Sequence, residues 1–565
     1  MRKIAAILAL TILPATAFAA GPIQPYDIGR VLDQVKEKPA APLQKPARIE
    51  NELQPSVAPS KAPSGVQVKV KGFRITGATV FSESELQKVL APFKERQMSL
   101  EQLQQASAAL TGYYHEKGYF VAYAYLPPQE IKDGLIQIAV LEGSVDKVQL
   151  KKAGKTRIAD DVILRGMRGV QHGTIIANDL LENRLLLLND LPGLEVSADL
   201  QPGSTTGSAD LVLNVKEKGP LSLSLTTDNY GNRFSGEYRG GATVNVNDPF
   251  GMGDQLTLYG LTGGEGLYTG KATYQAPVGS HGAKLGASYA YLHYQLDDIF
   301  QALNQNGTSQ IGSLFLSQPL AVNRILSLYG QLGYDYKSYR DAVQSVTSTK
   351  HVNGANASLL MNAQDGFAGG GVTNLSLVVS GGSLLLDDQL AGQDSAHAGT
   401  AGMFGKANLY LSRLQSLGTG STFMFLSFDG QQAFKNLDTT EKYSLGGPAG
   451  VRAYPGGEAS GDNGFVGSAE LRQSLAFLRP VLPGDLQLTG FFDAGLAQMN
   501  DEGFNGGDKG TRSRAGAGIG LNWGVPGNFS LRASAAWTTG GVPARISDGT
   551  DDRAPRCWFQ GVKWF

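Results

Sequence analysis

The chain has one cysteine, Cys557, in 565 residues. A single thiol excludes an internal disulfide and every paired-cysteine zinc or redox motif. Charge is sparse and balanced: 18% of residues are charged and the net charge is −1, below the usual quarter for soluble domains. No global field therefore recruits nucleic acid. No run of 18 apolar residues occurs, so no transmembrane helix is expected, although strands could still cross a bilayer. The six histidines (115, 172, 281, 293, 351 and 397) are scattered, with neither an HExxH nor a GxSxG pattern among them. Nothing marks a hydrolase, a nucleotide loop or a metal centre. What is abundant is glycine, 73 in all, with 17 before residue 220 and 56 from there on.

The chain opens with a positive Arg2-Lys3, an apolar stretch from Ile4 to Leu13, and the small-x-small Ala17-Phe18-Ala19. This pattern predicts a secretory signal peptide over 1–19, too short in its apolar part to span a membrane. Eight of the 25 prolines fall between 21 and 65. That density predicts an extended linker over 38–65 rather than a packed domain. Before it, Asp27 can cap a helix within 20–37. Its Ile28, Val31, Leu32 and Val35 share one face. So short a helix is marginal alone in water, so it is expected to dock.

Two modules of one shape follow. Residues 66–143 read β-α-α-β-β, with a capping box at Ser99 and Gln102 and an inner helical stripe of Leu100, Leu103, Ser107, Leu110 and Tyr114. Residues 144–219 repeat that order around a leucine-rich helix from Asn178 to Asp190. A repeat of this length is a supersecondary module used twice. Lysine plus arginine equals aspartate plus glutamate, 18 each, over 66–219. Partner capture here would rely on strand edges and apolar grooves, and edges of small sheets commonly take extended peptides.

From about 220 to 565 the period becomes two. Leu326, Leu328, Leu332, Tyr334 and Tyr336 oppose Ser327, Tyr329, Gln331, Asp335 and Lys337. Leu486, Leu488, Phe492, Ala494 and Leu496 oppose Gln487, Thr489 and Asp493. Repeated two-faced segments predict a transmembrane β-barrel. Sixteen candidate strands have centres near 224, 242, 258, 272, 289, 313, 331, 356, 377, 406, 427, 470, 491, 517, 532 and 561. At about ten residues per span, roughly twelve remain per connection. Gly516, Gly518 and Gly520 alternate, so one face there admits close approach of another segment. The fold class is mostly β: a 16-stranded antiparallel barrel preceded by two small α+β modules.

A long connection from about Lys435 to Gly464 contains Val451-Arg452-Ala453-Tyr454. On a later strand, Phe491-Phe492-Asp493-Ala494-Gly495 puts Asp493 on the polar, lumen face. A loop folded into a wide barrel needs an anchor, and an arginine fork suits a carboxylate. Glu470 and Arg472, on the polar face of the strand after the loop, are further candidates for lumen contacts.

Taken together these features resemble the transporters of two-partner secretion, the hemolysin-activator-like (ShlB/FhaC/HecB, TpsB) members of the outer-membrane assembly superfamily. The resemblance implies that 66–143 and 144–219 are periplasmic POTRA domains and that 20–37 is a plug helix. It also implies that Val451, Arg452, Ala453 and Tyr454 form the family's sixth-loop motif. Phe491, Asp493 and Gly495 would belong to the strand-13 motif that receives the arginine. Ala453 departs from the glycine usual at its position. The implied function is export of a secreted partner protein across the outer membrane of a Gram-negative bacterium, without nucleotide or cofactor. Outer-membrane lipid and the barrel assembly machinery would be the other partners, with no nucleic acid. A general assembly factor of the same superfamily and a passive porin are the rivals. The first commonly has three or more POTRA modules, and the second has no need of residues 66–217.

Overall fold

The computed structural model describes residues 27–33, 35, 48–51, 67–264, 266–418, 420–504, 509–540 and 555–565. The expected signal peptide lies outside these residues, as does most of the proline-rich segment.

The first module (residues 67–143) departs from a simple β-α-α-β-β string. Its opening strand breaks at Lys71 into β2 (Gln67–Val70) and β3 (Gly72–Thr76), separated by helix α2 (Glu83–Val89) from β4 (Arg96–Ser99). β2 pairs with β4, while β3 pairs with β6 (Leu135–Leu141), which also takes β5 (Tyr123–Tyr125). The sequence gives no alternation that marks β4. Helix α3 (Leu100–Glu116) starts at Ser99 with a reciprocal capping box to Gln102. Leu103, Ser107, Leu110 and Tyr114 are buried, and Leu100 is half-buried at the edge. At the core's rim, Glu142 accepts hydrogen bonds from Thr79 N (2.7 Å), Val80 N (2.8 Å) and the Tyr114 hydroxyl (2.8 Å).

The second module contains β7 (Ser144–Lys152), α4 (Asp160–Gly166), α5 (Asn178–Asn189), β8 (Leu194–Pro202) and β9 (Ser208–Glu217). Its sheet order is β1-β8-β9-β7, where β1 is Arg48–Asn51. The proline-rich segment thus supplies an edge strand that the sequence conceals, since four residues among prolines carry no periodicity. The unbroken Leu185–Leu188 run has a physical reason. Leu185 and Leu188 enter the module's own core, while Leu186 and Leu187 pack on barrel residues Val322, Tyr329 and Leu360. A helix buried on two sides is apolar on two sides. Lys284 Nζ to Asp190 (2.6 Å) and Arg157 to the Asn247 carbonyl (2.8 Å) add polar ties between module and barrel.

Sixteen antiparallel strands, β10 (Leu221–Asp228) to β25 (Arg556–Trp564), close into a barrel through pairing of the first with the last. All sixteen centres read from the sequence fall inside them. The expected uniform length does not hold: β10 has 8 residues and β17 (Val346–Asp365) has 20. Tilted strands that run on past the bilayer lengthen at the expense of loops. The two faces separate as alternation requires. Leu332 and Leu488 are 62% and 49% exposed on the outer face, whereas Ser327, Thr489 and Asp493 are buried inside.

Candidate functional site in the barrel lumen

Among the described residues, two segments that are not part of the wall occupy the lumen. The first is α1 (Ile28–Asp33), a helix of six residues. Asp27 caps it, its carboxylate accepting from Gly29 N at 3.1 Å. Ile28, Val31 and Leu32 are buried against Phe234, Leu267, Leu292, Tyr294, Tyr339 and Val352 of the inner wall and its loops, and Val35 packs at the margin. The apolar stripe read from the sequence is therefore the docked face. The polar side of α1 meets the other lumen segment: Thr439 donates its hydroxyl to the Asp27 carboxylate. A Cβ on Gly29 would lie 2.5 Å from the Thr439 carbonyl carbon. Only glycine allows so close a seat there.

That second segment is the connection 434–462, between β20 (Thr422–Ala433) and β21 (Asn463–Ser474), folded inward. Its root is gripped by lysines of the inner wall. Lys337 (2.7 Å) and Lys406 (2.8 Å) both reach Glu441, and Lys350 reaches Asp438 at 3.0 Å. Lys442 closes on Asp462 at 2.8 Å. The sequence reading missed this grip. Lumen-facing lysines at alternating positions were its only local sign.

At the tip, Arg452 meets Asp493 of β22 (Asp485–Gln498) in a fork, Nε to Oδ2 at 2.8 Å and Nη2 to Oδ1 at 2.7 Å. The backbone N of Arg452 also donates to Asp493 Oδ2 at 3.1 Å. Its Nη1 reaches Glu470 at 2.7 Å, and its plane lies 3.4 Å from the Phe491 ring centroid. Glu470 also accepts from Arg472 at 2.6 Å, and Arg472 covers the Phe425 ring. Glu470 thus bridges two arginines, which keeps the wall beside Asp493 electrically paired. Val451 and Tyr454 are fully buried, with Leu445, Ala459, Val466 and Phe491 around them. The Arg452 carbonyl accepts from Trp558 Nε1 at 2.7 Å.

Ala453 has no positive φ, so its backbone does not need glycine. Room for its methyl comes from the wall: a Cβ on Gly516 would sit 2.5 Å from Ala453 Cβ. At Gly495 a Cβ would meet the Phe465 carbonyl at 2.7 Å. A further anchor escaped the sequence reading: buried Glu458 of the loop pairs with buried Arg514 of β23 (Thr511–Val525). Arg514 in turn stands over the Tyr454 ring, 5.3 Å from its centroid.

A closed 16-stranded barrel with small α+β modules at its N-terminal end and an inward loop and helix defines a class, the POTRA-bearing outer-membrane transporters. Residues 207–523 match the family model described as haemolysin secretion/activation protein ShlB/FhaC/HecB, and residues 68–143 match the POTRA domain, ShlB-type. The chain belongs to the haemolysin secretion/activation family. It is 27% identical over 464 residues to the heme/hemopexin transporter protein HuxB of Haemophilus influenzae, covering 80% of each chain. It is 26% identical over 437 residues to the hemolysin transporter protein ShlB of Serratia marcescens, covering 74% of each. The solved structure of CdiB from Escherichia coli superposes with a TM-score of 0.70 at 20% identity, over 90% of this chain and 93% of that one, which shows a shared fold. The protein is thus an outer-membrane translocator of two-partner secretion, with its POTRA modules in the periplasm. Transporters of this family export partner exoproteins.

Proposed function

We propose that the protein conducts one large, partly unfolded partner protein through its lumen to the cell surface, with no chemical step of its own. The observation that carries this reading is α1. Its buried stripe is seated inside the lumen, yet it is covalently part of the segment that leads to the periplasmic modules. A plug on such a leash can leave the pore toward the periplasm without unfolding the wall. In this reading Ile28, Val31, Leu32 and Val35 hold the resting plug. The Arg452–Asp493 fork, with Glu470 and Arg472 behind it, keeps loop 434–462 fixed while the plug moves. Val451, Ala453, Tyr454, Phe491 and Gly495 shape its bed.

The POTRA modules recognise the partner's N-terminal secretion region in the periplasm by strand addition. Outer-membrane lipid solvates the apolar outer face, and the barrel assembly machinery inserts the chain. The names of HuxB and ShlB suggest a heme-scavenging or hemolytic type of cargo. Deleting the gene and comparing the culture medium with the outer membrane tests the proposal. Loss of a single secreted protein supports export. Depletion of many outer-membrane proteins would instead indicate a general assembly factor.

A further inference from the structure

The periplasmic rim of the barrel is unevenly occupied. The second module sits on three of its turns, where Arg157, Arg184 and Asn183 donate to the carbonyls of Asn247 (2.8 Å), Ser280 (3.3 Å) and Val322 (2.9 Å). The middle turn of the three joins β13 (Leu267–Val278) to β14 (Ala283–Gln295). Eight strands further on, half of the sixteen, the connection 475–484 joins β21 to β22 on the same rim.

That connection does not have the composition of a water-facing turn. It reads Leu475-Ala476-Phe477-Leu478-Arg479-Pro480-Val481-Leu482-Pro483-Gly484, with Arg479 its single charge. Its backbone coils: Leu478 N donates to the Leu475 carbonyl at 2.9 Å and Leu482 N to the Leu478 carbonyl at 2.8 Å. One turn apart, Phe477 and Val481 share a side, and Arg479 between them points the other way. Arg479 reaches Asp485 at 3.2 Å, and Asp485 lies on the lumen face of β22 with Gln487, Thr489 and Asp493. Phe477 and Val481 therefore point away from the lumen, 75% and 79% exposed.

The outward side is the lipid side. Leu471, four residues before the coil, and Leu488, four after it, are exposed on the outer wall. Trp523, on the outer face of β23 with Ile519 and Leu521, donates its Nε1 to the Pro483 carbonyl at 2.9 Å. Its ring meets Phe529 edge-on, with centroids 5.0 Å apart. Tryptophan with one apolar face and one polar tip marks the membrane–water boundary. The exposed pair is thus continuous with the lipid-facing wall at the level of that boundary.

We propose that residues 476–482 are a membrane-interface anchor, with Phe477 and Val481 seated among the phospholipids of the periplasmic leaflet. Such segments bury their apolar face about 5–10 Å into the boundary between headgroups and acyl chains. The inference goes beyond solvation of the strands, because this segment lies outside the wall. The barrel is then held at two opposite points of its periplasmic rim, by the second module on one side and by lipid on the other.

The test places a fluorescent label at Phe477→Cys or, as a control in water, at Glu83→Cys on exposed α2. Both are made in full-length protein with Cys557→Ser and reconstituted in phosphatidylcholine nanodiscs, and heat-modifiable migration confirms that each barrel is folded. Iodide in the buffer should quench the label at 477 about three-fold less than the label at 83, and lipid bearing a nitroxide on its upper acyl chain should quench 477 alone. Adding Val481→Asp should reverse the lipid quenching at 477, and no change would overturn the apolar pair as its cause. Equal iodide quenching at 477 and 83 would overturn the anchor. Shielding from iodide without quenching by the lipid would overturn it too, because the pair would then be covered by protein.

Discussion

Replacing Asp493 by asparagine isolates the anchor of the inward loop. The side chain keeps its shape but loses its charge, and one oxygen becomes an NH2 that cannot accept. Asp493 is fully buried and takes donations from Arg452 N, Nε and Nη2 and from Ser468 Oγ. Removing one partner of such a buried pair costs about 3–5 kcal/mol, because the other charge is left without compensation. Here Glu470 at 2.7 Å and the Phe491 ring still face Arg452, so the lower end, about 3 kcal/mol, applies. Docking of the loop tip then weakens about 100-fold. The barrel ladders are untouched, so the variant should still insert and migrate as a heat-modifiable barrel. Cleavage within 434–462 by protease added outside intact cells should rise about 100-fold, if opening and closing are fast relative to cleavage. Export should fall in parallel. A folded Asp493→Asn barrel whose loop is as resistant as wild type would refute the energetic role of the fork.

Other consequences follow from the same contacts. Gly29→Val places a side chain within 2.5 Å of the Thr439 backbone, so the plug should unseat and raise the mean conductance of the resting pore in planar bilayers; unchanged conductance would contradict the seat. Gly516→Val collides with Ala453 and should expose the loop tip as Asp493→Asn does, with relief in a Gly516→Val, Ala453→Gly double variant. Burial would raise the Glu142 carboxyl, but hydrogen bonds from Thr79, Val80 and Tyr114 outweigh it and hold the group below the usual carboxylate range. Its contribution to the first module is therefore complete above about pH 4.3, the unfolded value, and is lost as pH falls through the lower folded value. Glu142→Gln should cost about 1–3 kcal/mol at neutral pH and flatten that acid dependence, read by hydrogen exchange of residues 79–80 in the whole protein.

Much of the molecule was legible because barrel strands advertise themselves locally. A lipid-facing leucine directly followed by a lumen-facing serine, as at Leu326 and Ser327, needs no tertiary information to be read. Capping at Ser99 was equally local. What escaped depends on partners distant in the chain. Arg48–Asn51 is a strand only because β8 offers an edge, and Lys350 is an anchor only because Asp438, 88 residues later, folds back to it. The sequence marks the helix at Leu185–Leu188 only as leucine-rich, and the second surface that uses Leu186 and Leu187 comes from the distant barrel. Arg514 and Glu458, separated by 56 residues, carry no motif that would join them. The placement of Arg452 beside Asp493 was expected from the resemblance to a family, not from spacing.

The central claim is a conducting barrel closed at rest by a removable helix. Single-channel conductance of the purified protein, compared with a version lacking residues 20–37, tests it most directly. A small, flickering conductance that becomes large and steady on deletion is the predicted result. A large, steady conductance in both proteins, or none in either, would contradict it.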